Sequence, residues 1–519
     1  MDGAGLAAAK PARMLQWAED RRIAAATLAF IILCAVALYW HGFGPGDAER
    51  YVRGAMRWVE DGFYLGETHW SLRHPFVVPM ALSFALFGAN EFTATIPNIA
   101  YAAGLVAITY VFAARYIGAA EAFLTAAFVA ASAFFVARPL EVDVYGAEIF
   151  FAALAAWLFV AGEMEGRKLS LIAGAGAAAG IAWLVREQTI YIIGALAAAT
   201  IWLRKGVDRS LFALVGGFAA VIAVEWAYYA IVAGDPFYRY EIDLRHRRTG
   251  VAIHFASEDN TLAKRILRPF GDLLTYPTTT PFLLLAALAA WRPGWRVALQ
   301  PPSRRFAFWL FGLLSLVAVP VSAFIFNLAF PRYYPILTYF LFLAIGLAAA
   351  EIWRRWGPAA GAGCALLVVG LNAAAADFSR YNEYYEARYL AELAQQRAPI
   401  ETDPLTASRA RYQLWLRGVP ISEASRRIIG ASEPSLGGLY FKSHASPPWD
   451  PRWCALEFAD VRPLNWTHAL LRKTGLDKLS GSKIRSTVAK PSPVALVRPL
   501  PTPAETDPIT GAPCLRPLR

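Results

Sequence analysis

Gly46-Asp47-Ala48-Glu49-Arg50-Tyr51 stands just after a long apolar run, and Ala55, Met56, Trp58 and Val59 follow it at helical spacing. Two carboxylates two positions apart at a helix start can hold a metal ion or share a proton-accepting role. The alternative is that Asp47 is an N-cap and Glu49 a first-turn acid favoured by the helix dipole. Further on, Arg138-Pro139-Leu140-Glu141-Val142-Asp143-Val144-Tyr145 sets two acids and an arginine in one short stretch between apolar runs. Such charges are costly at a membrane edge unless paired or wet, and interfacial solvation alone would also account for them. Arg186-Glu187-Gln188 and Arg332-Tyr333-Tyr334-Pro335 interrupt later apolar runs, and 233–273 adds Arg239, Arg245 and His246. Arginine suits a phosphate through paired hydrogen bonds, and a carboxylate suits deprotonation of a hydroxyl or amine.

These residues have to be positioned by membrane helices. Of 519 residues, 57% are hydrophobic and only 17% charged, where soluble domains average about a quarter charged. The net charge of +11 does not read as a nucleic-acid footprint, because Lys and Arg cluster in short patches between apolar runs as topology requires. Lys10, Arg13, Arg21 and Arg22 precede a run from Ile23 to Trp40 that ends in Tyr39-Trp40 with no small-residue cleavage site. This predicts an uncleaved first span with its N-terminus in the cytoplasm. Further spans are expected near 92–114, 119–137, 146–162, 169–185, 189–203, 210–232, 274–291, 306–329, 333–352 and 358–376, about eleven in all. The segment 75–87 is apolar but short and holds Pro75 and Pro79, which suits an interfacial or re-entrant piece.

With the N-terminus inside, every inner loop is basic: Arg115; Arg167-Lys168; Arg204-Lys205 with Arg209; Arg292, Arg296, Arg304 and Arg305; Arg354-Arg355. The outer loops are then 41–91, 138–145 and 233–273, so the residues singled out above share the outer side. The expected organisation is an all-α polytopic membrane domain over 1–376 and a small α/β or irregular extracytoplasmic domain over 377–486. A Pro-rich, disordered tail is expected over 487–519. Cys34 and Cys364 lie in apolar runs, whereas Cys454 and Cys514 can pair if the C-terminal part is outside the cytoplasm.

The ordered set of motifs resembles the GT-C superfamily of membrane glycosyltransferases, in the branch of protein O-mannosyltransferases and aminoarabinose lipid A transferases. The resemblance runs over roughly 20–350. Its motifs are Asp47-Ala48-Glu49 with Tyr51, Arg73-His74-Pro75-Phe76, Phe87-Gly88-Ala89-Asn90-Glu91-Phe92, Arg138 with Asp143, Val185-Arg186-Glu187, Gly234-Asp235-Pro236-Phe237-Tyr238 and Arg332-Tyr333-Tyr334-Pro335. It departs from the family where Asp and Glu are separated at Asp47 and Glu49, where His74 replaces a proline and where Arg186 replaces a lysine. The resemblance implies inverting sugar transfer from a polyprenyl-phosphate donor to a lipid, glycan or protein acceptor, in a bacterial-type inner membrane. Asp47 would be the general base, with Glu49 and Asp143 orienting acceptor or sugar. Arg138, Arg186, Arg332 and Arg245 would hold the donor phosphate, and Tyr51, Arg73, His74 and Tyr333 would line the acceptor or sugar site. No cofactor is implied beyond a divalent metal at Asp47 and Glu49. Two other classes remain open: a polyprenyl-diphosphate glycan ligase or polymerase, and a transporter or flippase of an anionic lipid.

Overall fold

The computed structural model describes residues 20–44, 47–255, 267, 271, 285, 299, 301–325, 331–378, 384–397, 399–461, 465–476 and 494–515. Among these, six helices are long and apolar enough to cross a membrane: Arg21–Tyr39, Glu91–Tyr116, Tyr145–Met164, Arg209–Val232, Pro302–Ala323 and Pro335–Phe378. A seventh is the pair Ala119–Ala130 and Ala133–Leu140, bent by 52° at a break where Ser132 is extended. The 44-residue Pro335–Phe378 breaks at Gly357, whose φ of 84° only glycine adopts without strain, and it covers two of the expected spans. Leu169–Val185 has 17 residues and Ile190–Arg204 has 15, both short of the length a full crossing needs. The expected span 274–291 lies outside the described residues. His74–Phe87 is a 14-residue helix with Pro75 in its first turn, where its missing N–H costs nothing.

Close helix packing explains how the short elements hold their places. Leu169–Val185 crosses Arg209–Val232 so tightly that a Cβ on Gly176 would meet the Leu214 carbonyl at 1.9 Å, and one on Gly217 the Ala173 carbonyl at 2.0 Å. Small residues at such crossings let two backbones touch where no hydrophobic drive separates lipid from protein. The basic loop residues then meet at one end of the bundle. Arg304 and Arg354 both reach the buried Glu121, at 2.9 and 2.6 Å. Arg115 pairs with Glu165 at 3.0 Å, and Arg204 with Glu163.

At the opposite end stands a five-stranded sheet with helices on one face. Its strands are β1 (Ile400–Thr402), β2 (Ile428–Gly430), β3 (Tyr440–Lys442), β4 (Trp453–Ala459) and β5 (Val494–Pro499), in the order β2-β1-β3-β5-β4. β1 runs parallel to β2 and β3, and β5 runs antiparallel to β3 and β4. Helices Tyr384–Gln396 and Pro404–Trp415 pack Leu390, Ala394, Ala407 and Leu414 against Ile400, Ile428, Phe441, Val494 and Leu496. This corrects the expectation of a disordered tail from 487: residues 494–499 form a buried strand between β3 and β4. Val-Ala-Leu-Val alternates its faces, Val494 and Leu496 toward the helices and Ala495 and Val497 toward Tyr440 and Trp453. Cys454 and Cys514 are disulfide-bonded, which ties the segment after β5 to β4.

Candidate functional site

Asp47 is the N-cap residue of the amphipathic helix Ala48–Asp61, but its side chain makes no capping hydrogen bond. The carboxylate is about half exposed and pairs with Arg50 at 3.5 Å. Glu49 is buried, and its carboxylate accepts a hydrogen bond from Tyr384 of the sheet domain, whose hydroxyl in turn accepts the Glu49 N–H at 3.0 Å. Tyr51 points inward from the same helix, its ring edge-on to Phe76 and its hydroxyl bonded to the Arg73 guanidinium. Arg73 thus sits where the chain turns into helix His74–Phe87.

The arginine set forms around the ends of three helices. Arg186 ends Leu169–Val185 and donates to Glu148 at 2.8 Å, with its guanidinium over the Tyr145 and Tyr333 rings at 4.8 and 4.6 Å. Gln188 fastens the arrangement, donating to Glu148 at 3.0 Å and to the Tyr333 carbonyl at 2.8 Å. Arg332 donates to the Tyr333 hydroxyl at 3.2 Å, and Arg138 lies 5.8 Å from the Tyr145 ring. Asp143 faces this group. Burial raises its carboxyl above the usual range, Arg138, Arg186 and Arg332 oppose that rise, and Asp47 adds to it. Asp143 is thus within electrostatic reach of all three arginines and of Asp47.

A second buried junction supports the Arg186 turn. Arg239, 1% exposed, donates to Glu225 at 2.8 Å, to Glu187 at 2.6 Å and to the Leu184 and Leu72 carbonyls at 3.1 and 3.3 Å. Burial would push the Glu187 carboxyl up, but Arg239 and Arg73 outweigh it and hold it below the usual range. Arg239 lies on helix Tyr238–Phe255, which also places His246 against His69, ring centres 3.7 Å apart, beside Trp70 and Arg50.

The structure therefore gathers Asp47, Tyr51, Arg73, Arg138, Asp143, Arg186, Arg332 and Tyr333 at one end of the bundle. It does not bring Arg245 to them: that side chain is exposed on helix Tyr238–Phe255. His74 packs among Trp58, Tyr228 and Tyr229, where burial and then Arg239 lower its pKa to about 4. Asp47 and Glu49 do not converge as a metal pair, since Tyr384 occupies the Glu49 carboxylate. Among the described residues no group of three His, Cys, Asp or Glu side chains converges for a metal. The sequence reading missed Glu148 and Tyr384, and it named Gln188 and Arg239 without assigning them a role. Glu148 had a signal, an acid inside an expected span.

Residues 73–229 match the family described as dolichyl-phosphate-mannose-protein mannosyltransferase. The segment includes Arg73, His74, Arg138, Asp143, Glu148 and Arg186, and the match falls in the GT-C superfamily that the sequence motifs resemble. No curated protein matches the chain. Among solved structures, the oligosaccharyltransferase AglB from Archaeoglobus fulgidus, in complex with an inhibitory peptide and a dolichol-phosphate, aligns at 12% identity. That alignment has a TM-score of 0.46 and covers 80% of this chain and 65% of AglB. ArnT from Cupriavidus metallidurans aligns at 13% identity and TM-score 0.45, over 82% of this chain and 93% of its own. The arabinofuranosyltransferase AftD from Mycobacteria aligns at 14% identity and TM-score 0.44, over 74% and 29%.

Proposed function

We propose that the chain is an inverting glycosyltransferase that takes sugar from a polyprenyl-phosphate donor and passes it to a lipid, glycan or protein acceptor on the extracytoplasmic side. One observation carries this reading: Asp143 lies in the electrostatic reach of Arg138, Arg186 and Arg332 and also of Asp47, so a phosphate-binding set and an available carboxylate share one end of the bundle. Arg186 is fixed before any ligand arrives, by Glu148 and by two tyrosine rings. With Arg138 and Arg332 it stabilises the charge that develops on the departing phosphate. Asp47 removes the acceptor proton, and Asp143 orients the acceptor or the sugar. The match of residues 73–229 supports the reaction class.

The same reading places the site outside the cytoplasm. The opposite end holds Arg115, Arg204, Arg304 and Arg354, the positive-inside side, and the Cys454–Cys514 disulfide suits an oxidising compartment. Eleven spans follow if Pro335–Phe378 counts as two, the bent pair and the two short helices count as three, and 274–291 adds another.

The test is transfer of radiolabelled sugar from a set of polyprenyl-phosphate sugars by purified wild type and Asp47→Asn in detergent. Asp47→Asn should lose about a hundred- to ten-thousand-fold in turnover with insertion and folding intact. Equal turnover would reject Asp47 as the base and move the role to Asp143. Wild-type protein that releases no polyprenyl phosphate from any donor would favour the ligase or the transporter.

A further inference from the structure

An Asp at an N-cap ordinarily accepts a hydrogen bond from the second or third N–H of its helix. Three other aspartates of this chain do so: Asp20 accepts from Arg22 and Ile23, Asp208 from Ser210 and Leu211, and Asp403 from Thr406. Asp47 does not. Of the second and third N–H groups of helix Ala48–Asp61, that of Arg50 donates to the Asp47 carbonyl at 2.9 Å, and that of Glu49 donates to the Tyr384 hydroxyl at 3.0 Å. The same hydroxyl donates to the Glu49 carboxylate, so one phenol satisfies both groups of a residue that is 5% exposed.

Tyr384 is held firmly for this task. It is fully buried, its ring lies edge-on to Phe43 at 5.7 Å, and the Arg409 guanidinium lies 5.0 Å from the ring centre. Four residues on, Arg388 joins the same helix to Glu91 through two hydrogen bonds of 2.9 and 2.7 Å.

We infer that Tyr384 is a positioning residue: the sheet domain caps the Asp47 helix from outside and so keeps the Asp47 carboxylate off the N–H groups of its helix and open to the acceptor. The inference rests on Asp47 being the base. Without the hydroxyl, the buried Glu49 N–H has no acceptor, and Asp47, here at φ −100° and ψ 14°, moves toward the extended backbone of Asp20 and Asp208 to take it. The domain then serves the chemistry through one hydrogen bond 335 residues away in sequence.

A double-mutant cycle on thermal unfolding in detergent tests this without any assay of transfer. Asp47→Ala should leave the Tm of the wild type unchanged, since Asp47 caps nothing there. In the Tyr384→Phe background it should lower the Tm, because Asp47 has become the cap. Additive effects of the two substitutions would overturn the inference. Arg388→Gln, which loosens the same junction but leaves the Tyr384–Glu49 bonds, should be additive with Asp47→Ala; coupling there would also overturn it. In the transfer assay Tyr384→Phe should lower kcat about 100-fold, the scale of a small misplacement of a reacting group, with the donor KM within about twofold. A change in KM alone would count against the inference. If the wild type transfers from no donor, the proposed function fails while the Tm cycle still decides the cap.

Discussion

Replacing Arg239 with methionine tests whether the loops at this end of the bundle are held by one buried cation. The guanidinium is 1% exposed and faces Glu225, itself 2% exposed, and Glu187, which is 21% exposed. Methionine keeps most of the volume and the contact with Trp183 but strands the Glu225 carboxylate beside its former partner. Breaking a buried pair from one side costs about 3–5 kcal/mol, and two backbone carbonyls, of Leu72 and Leu184, lose their donor as well. Even in a chain of this length the Tm should fall by roughly 5 °C or more. The decisive comparison is with Arg239→Met combined with Glu225→Leu. Removing both charges costs less than removing one, because the most deeply buried carboxylate goes with its partner, while Glu187 and Asp243, the other two acids on Arg239, keep some exposure to water. Fluorescence-monitored unfolding in detergent should therefore find the double variant more stable than the single one. A double variant that unfolds as early as the single variant, or earlier, would refute the argument that Arg239 acts through charge compensation.

Two further outcomes follow from the same geometry. His74 is neutral in the folded protein, with its pKa lowered to about 4 by burial and Arg239 against about 6.5 in the unfolded chain. Its contribution is complete above about pH 6.5 and is lost as the pH falls toward 4, roughly 3 kcal/mol in all; a pH series of Tm values should be flatter over that window in His74→Phe. The Cys454–Cys514 bond closes a 60-residue separation, which the loop-entropy relation values at about 4 kcal/mol. Cys454→Ser should leave the segment after β5 open to limited proteolysis while the membrane helices stay resistant, and equal resistance of both proteins would refute the anchoring role.

The residues that the sequence reading found and those it missed differ in what determines them. Hydropathy and basic loop ends report the surroundings of one residue at a time, so Arg115, Arg204, Arg304 and Arg354 were legible as one side of a membrane, and they do meet at one end. The Glu121 that binds two of them was not, because its burial depends on two distant helices. Arg186 stood out as an outer arginine, but its partner Glu148 is 38 positions earlier inside an apolar run. Tyr384 is 335 positions from Glu49, in a region whose composition suggested only an appended domain. β5 was lost for another reason. The prolines around 490–503 outweighed four apolar residues, Val494 to Val497, in a local reading, yet proline breaks a strand only where its N–H is needed, and Pro499 stands at the end of this one. The N-cap at Asp47 combines both limits. Residue type and position pointed to the N-cap position, but the Glu49 N–H is taken by Tyr384 and the Asp47 backbone, at φ −100° and ψ 14°, is not in the extended form that a cap uses. The capping that Asp20, Asp208 and Asp403 carry out needs an extended backbone and an unclaimed N–H, and Asp47 has neither.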